Sequence, residues 1–166
     1  MKKPILICAL LISNIIVFSN IKAQNNLERV YSSLLSANLN HCMDNAKTLY
    51  NLTSKNEFSK ELVERELNNI TKYVDDANLN ISSMKQFYSK TELKQINKYI
   101  ESIDEHLAQV YLDVKSIIQD LRNEKKISNK IFDLYSELKK AEQIDHKEMK
   151  RIRNIKAFNE HNFITL

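Results

Sequence analysis

Not one of the 166 residues is glycine, and the single proline is Pro4. Glycine supplies the positive φ angles of tight hairpins and the close backbone approach of phosphate-cradling loops, while proline punctuates loops. A chain without them is directed toward helices. It also lacks the parts from which most familiar active sites are built: there is no glycine-rich phosphate loop, no nucleophile elbow and no Cys-x-x-Cys pair. No catalytic residue and no cofactor are expected from these motifs.

The first residues carry an address. Met1-Lys2-Lys3 precedes a mostly apolar run from Ile5 to Phe18, and Ile21-Lys22-Ala23 ends on a small residue suited to a signal peptidase. Residues 1–23 read as a secretory signal, giving a product that is secreted or periplasmic after cleavage near Ala23. An uncleaved anchor fits less well, because a run of about 14 apolar residues falls short of the roughly 20 that span a bilayer. Cys8 sits inside that run with almost nothing before it, which argues against an acylated cysteine.

Loss of the leader removes Lys2, Lys3 and Lys22, so 25 basic residues become 22 against 21 acidic ones and the formal charge falls from +4 to +1. No nucleic-acid partner is expected, since that class of binding needs a concentrated positive field. Cys42 is left alone in the mature chain and cannot form an internal disulfide. A packed core must therefore hold the domain together, and the chain is long enough for one. Cys42 itself is expected to be a small buried hydrophobe, with an intermolecular disulfide or a reactive thiol as the alternative.

Two apolar series then define the architecture. Val63, Leu67, Ile70, Val74, Ala77, Ile81, Met84 and Tyr88 alternate by four and three residues, and Leu93, Ile96, Ile100, Ile103, Leu107, Val110, Val114, Ile117 and Leu121 follow the same rule. These are helical seams of heptad period. Ser54 before Glu57 and Ser89 before Glu92 have the spacing of reciprocal helix caps. Helices are expected over about 25–52, 56–88, 90–124 and 129–157, within a bundle domain of residues 24–157 followed by a tail of residues 158–166. Short connections force neighbours antiparallel, so the fold expected is an all-α, up-down-up-down four-helix bundle. The third turn is the weakest, because Ile131, Tyr135 and Leu138 continue the preceding seam in register. A single long helix, forming a helical hairpin or an oligomeric coiled coil, is the alternative.

Candidate sites lie on the two less regular outer helices. In the first, the register Leu27, Val30, Leu34 shifts to Leu35, Leu39, Cys42, Ala46, Leu49, which rotates His41 and Asp44 to the edge of the core. There they are placed to share a proton or a cation across one turn, against a plain solvated flank. In the last helix, Asp145 occupies a position due for an apolar residue. Folding the chain back about residue 126 sets Asp145 near His106, so a pairing of Asp145 with His106 or a lysine is expected, because a lone core carboxylate is costly.

Metal binding has thin support. Di-iron bundles need paired Glu-x-x-His elements, and Asn38, Ile103, Gln143 and Phe158 stand three residues before His41, His106, His146 and His161. Glu142 and His146, four apart, form the helical half of a zinc site without a second half in the sequence. No metal site is expected; His106, Asp145, Glu142, His146, His41 and Asp44 are the weak candidates. A stronger lead is the basic end of the last helix, where Lys147, Lys150, Arg151, Arg153 and Lys156 interleave with Met149, Ile152 and Ile155. Such an end suits an acidic protein, an anionic membrane surface or a glycan, unless its apolar side only completes the bundle. Binding of a macromolecular partner is the function expected, as an adaptor, inhibitor, immunity or chaperone-like protein, with oligomerisation open. A small-ligand or metal carrier using the polar level around His106 and Asp145 is the alternative.

Overall fold

A computed structural model of the chain describes residues 3–55, 59–88, 90–123 and 126–163, with side chains described, at all but a few positions, from Leu27 to Arg151. Four helices follow one another: α1 (Lys3–Ser54), α2 (Lys60–Lys85), α3 (Lys90–Arg122) and α4 (Ser128–Phe163). α1 packs on α2 and α4, and α3 packs on α4 and, more sparsely than in the other three pairings, on α2. The helices thus close a ring in chain order, an antiparallel four-helix bundle. Among the described residues no helix is long and apolar enough to cross a membrane.

The seams face the interior as their period requires. Every member of the α2 series from Val63 to Tyr88 is buried, and in α3 all from Ile96 to Leu121 are buried while Leu93 packs against the core edge. α4 contributes Ile131, Leu134, Leu138, Ala141 and Met149. In α1 the shifted stripe is the one used: Leu35, Leu39, Cys42, Ala46 and Leu49 are buried, whereas Leu27, Val30 and Leu34 are 45%, 51% and 45% exposed.

α3 and α4 are two helices. Asn123 donates its backbone N–H to the carbonyls of both Gln119 and Asp120, at 3.2 and 3.1 Å, closing α3 with a tightened last turn. Ile127, 2% exposed, then plugs the core one residue before α4, and its carbonyl receives the Ile131 N–H at 3.0 Å. An apolar residue anchored at the turn is what separates the hairpin from a continuous rod. No glycine or proline interrupts α4 afterwards, and it runs to Phe163, into the segment expected as a tail.

The ends of α2 show how the chain manages without glycine. Its cap is Ser59, five residues beyond the expected Ser54, which instead ends α1. Ser59 has extended backbone (φ −92°, ψ 154°), and its hydroxyl accepts the Leu62 N–H at 3.1 Å. Glu61, in the same first turn, is held below the usual carboxylate range by backbone and Ser59 hydrogen bonds. At the other end Gln86 stays right-handed (φ −75°, ψ −20°), and Gln86 and Phe87 donate to the carbonyls of Ser83 and Met84 at 3.1 and 3.0 Å. This winding to three-residue hydrogen bonds satisfies terminal carbonyls that a glycine in the left-handed region often serves. Glu57 and Ser89 lie outside the described residues, and the side chain of Glu92 is likewise not described.

Candidate functional site

Asp145 is 4% exposed, at the heptad position of α4 where the seam calls for an apolar side chain. Its Oδ1 accepts the Tyr99 hydroxyl of α3 at 2.6 Å, and its Oδ2 accepts the Ser36 hydroxyl of α1 at 2.5 Å. Three helices are therefore tied through one carboxylate. Burial first, and then the negative charge of Asp145, drive the Tyr99 phenol far above its ordinary titration range. Tyr99 thus remains a hydrogen-bond donor, and a carboxylate with two such donors suits a buried charge.

The partner expected for Asp145 was His106, and this is corrected. His106 Nδ1 pairs with Glu137 Oε1, eight residues earlier on α4 than Asp145. The cause is the turn. α3 ends at Arg122 and α4 begins at Ser128, and the pairings Tyr99–Asp145 and His106–Glu137 centre the fold-back near the end of α3 rather than on residue 126. That sets α4 roughly two turns away from the expected level, and Tyr99 takes the place assigned to His106. Across the helices the carboxylate meets the Tyr99 and Ser36 hydroxyls.

His106 belongs to a separate polar ladder along α3 and α4. Glu137 also receives Lys140 at 3.0 Å, and one level further on Lys130 bridges to Asp120 and to Ser116, both at 2.5 Å. Burial raises the Glu137 carboxyl, but the hydrogen bonds from His106 and Lys140 outweigh it and hold the group below its usual value. On α1, His41 stacks on Tyr73 of α2 with centroids 4.9 Å apart, while the Asp44 carboxylate is exposed. No hydrogen bond or ion pair is seen between the two residues, which stand on the exposed side of α1.

Four of the residues singled out by sequence do meet. Glu142, Asp145, His146 and Lys150 of α4 line one open groove against Ser36 and Asn40 of α1, with a volume of about 520 Å³. Asp145 and Met149 are buried there, while Asn40, His146 and Lys150 are exposed. The groove therefore offers a buried, hydrogen-bonded carboxyl group below a mixed polar rim. Among the described residues no three His, Cys, Asp or Glu side chains are grouped so as to hold a metal ion.

Of the basic end, Lys147, Lys150 and Arg151 are exposed, and Arg151 Nε meets Glu148 at 2.5 Å. The side chains of Arg153 and Lys156 lie outside those described. Cys42 is fully buried, with its thiol directed to the Ile70 carbonyl at 3.7 Å, and burial pushes its pKa up to about 12. A thiol so placed is neither an accessible nucleophile nor a free partner for an intermolecular disulfide.

Sequence reasoning missed Tyr99 and Ser36. Each flanks a seam position, Ile100 and Leu35 respectively, and the available signal was the misfit of Asp145 itself, whose burial demands hydroxyl or amide donors at its level. Comparison with protein-family models, with curated proteins and with solved structures finds no match.

Proposed function

We propose that the chain is an exported, non-catalytic helical bundle that binds a macromolecular partner in the cell envelope or outside the cell. The observation that supports this reading is the unused register of α1. Leu27, Val30 and Leu34 have the three- and four-residue spacing of a bundle seam and are about half exposed. A helical apolar stripe at that spacing is half of a helix–helix interface, and its natural complement is a helix of another molecule. The basic residues at the end of α4 supply charge for an acidic partner or an anionic membrane surface.

The test compares the exported chain with a Leu27→Gln/Val30→Gln/Leu34→Gln variant and with charge reversal at Lys150, Arg151 and Arg153. Cross-linking in the cells that make the protein is expected to join the unaltered chain to one defined partner and to lose that product in the variants, with helicity unchanged by circular dichroism. Identical products for all three chains, or none, would sink the proposal. Sequencing the amino terminus of the exported product tests cleavage near Ala23.

A second reading is carried by the α1–α4 groove, where Glu142, Asp145, His146 and Lys150 converge. On that reading the bundle holds a small polar ligand above Asp145. Native mass spectrometry separates the two, since a copurifying ligand lost on Asp145→Asn supports the second.

A further inference from the structure

The opposite side of the ring carries a surface that neither reading uses. Between α2 and α3, the thinnest pairing of the bundle, runs an open groove of about 540 Å³ whose lining includes Asp75 and Asn78 of α2 and Asp104, Ala108, Tyr111 and Leu112 of α3. Leu112 is 59% exposed and Tyr111 38%, and Leu79 on the outer side of α2 is 65% exposed. The core does not need these side chains, because the seam positions Val74, Ala77 and Ile81 and Leu107, Val110 and Val114 already fill it. Tyr111 and Leu112 lie in the groove itself, and Leu79 stands one helical turn beyond Asp75 on α2.

The charge around that groove is mainly negative. Asp75 and Asp104 are the charged members of the lining, and Glu101 and Glu105 are exposed within one turn of Asp104 on α3. Three lysines lie nearby: Lys72, exposed one turn before Asp75 on α2, together with Lys85 and Lys115. Lys85 reaches Asp104 at 3.3 Å with both side chains more than 40% exposed, a solvated pair of small worth that a competing cation can replace. Lys115 lies over the Tyr111 ring, 4.8 Å from its centroid, towards the end of the groove away from Asp104.

We propose that this groove is the docking site for a basic amphipathic helix of a partner protein. Its apolar face lies on Leu79, Tyr111 and Leu112, and its lysines or arginines meet Asp75 and Asp104. Two antiparallel helices present a straight trough, into which a third helix packs at a shallow angle along its whole length. The acidic rim selects cations and opposes a second copy of the same face, which would set carboxylate against carboxylate. The inference goes beyond the α1 seam and stands on a different face of the bundle.

The probe is a fluorescent peptide of about 20 residues made of leucine and lysine, with leucine at helical seam spacing, long enough to be helical once docked. Controls are a scrambled peptide of the same composition without the seam and a version with glutamate in place of lysine. Anisotropy titration of the full chain is expected to show binding of the seamed lysine peptide and at least about tenfold weaker binding of both controls. Leu79→Gln/Leu112→Gln weakens it by a similar factor, and Asp75→Asn/Asp104→Asn weakens it and flattens its salt dependence. All four positions are at least partly exposed, so the variants keep the fold, and Leu27→Gln/Val30→Gln/Leu34→Gln leaves the affinity unchanged, which separates this face from the α1 seam. Equal binding of the scrambled peptide, or indifference to Leu79 and Leu112, overturns the proposal. So does concentration-dependent dimerisation abolished by Leu112→Gln, which assigns the groove to a second copy of the chain.

Discussion

Replacing Asp145 by alanine leaves the Tyr99 hydroxyl buried without the acceptor it meets at 2.6 Å. An orphaned buried donor costs about 1–3 kcal/mol, so Asp145→Ala is expected to lower the urea midpoint by a corresponding amount. The informative comparison is the triple change Ser36→Ala/Tyr99→Phe/Asp145→Leu, which removes all three polar groups together. Apolar replacements of buried polar clusters are commonly neutral or stabilising. If the triple variant is at least as stable as the natural chain, the trio is not kept for the fold, and the groove above it gains weight as a ligand site. Cys42 makes a second prediction. Its pKa lies near 12 in the fold against an ordinary 9.0, so between these values the unfolded chain has released a proton that the folded chain retains. Stability is therefore expected to fall as pH rises from about 9 towards 12, and Cys42→Ala removes the thiol's share of that slope. Below pH 8, a thiol reagent is expected to label Cys42 only once urea unfolds the chain.

Caps and cross-helix pairs act on whole helices. Ser59→Ala is expected to cost about 1 kcal/mol in thermal or urea unfolding, because it removes the acceptor of the Leu62 N–H, whereas Ser54→Ala is expected to be nearly silent. Glu137 links α4 to α3 through His106, and its carboxyl is held below the usual value. A depressed carboxyl stabilises the fold above its ordinary pKa of 4.5, and that contribution disappears as pH falls through the folded value. Glu137→Gln is therefore expected to flatten the acid limb of the stability profile below about pH 5 while leaving the alkaline limb unchanged.

These helices also mark what a sequence of this kind discloses. The α2 and α3 seams were readable residue by residue, because strict three- and four-residue alternation has one solution, a buried face. The start of α2 was not, since Ser54 has the capping-box spacing to Glu57, yet α1 runs through it and the cap is Ser59. Side-chain pairing across helices was least readable. Placing the fold-back at residue 126 rather than near Arg122 slid α4 along α3 and put His106 where Tyr99 stands opposite Asp145. Periodicity fixes which way a residue faces, but the level at which two helices meet depends on the turn, and this turn carries neither glycine nor proline to locate it.

At the scale of the molecule, α1 with α2 and α3 with α4 form two helical hairpins that share the α1–α4 pairing as their main common border. The fourth border, between α2 and α3, is the most sparsely packed. Were the two hairpins to move, the sparse α2–α3 border is where they would part, about α1 and α4 and without breaking any helical hydrogen bond. Shear and hinge motions of packed helices run on the microsecond to millisecond scale. Methyl relaxation dispersion is expected to show exchange at Ala77 and Ile81 and at Leu107 and Val110, whose side chains border the thin pairing, and little at Leu39 or Leu138. Uniform or absent dispersion would show that the four borders are equally tight. If the hinge operates, the bundle is an ensemble of narrower and wider forms, and whatever occupies the α2–α3 face first selects the wide one. Its apparent affinity is then set partly by how often the empty protein opens, so a substitution that tightens the α2–α3 border weakens binding while raising stability.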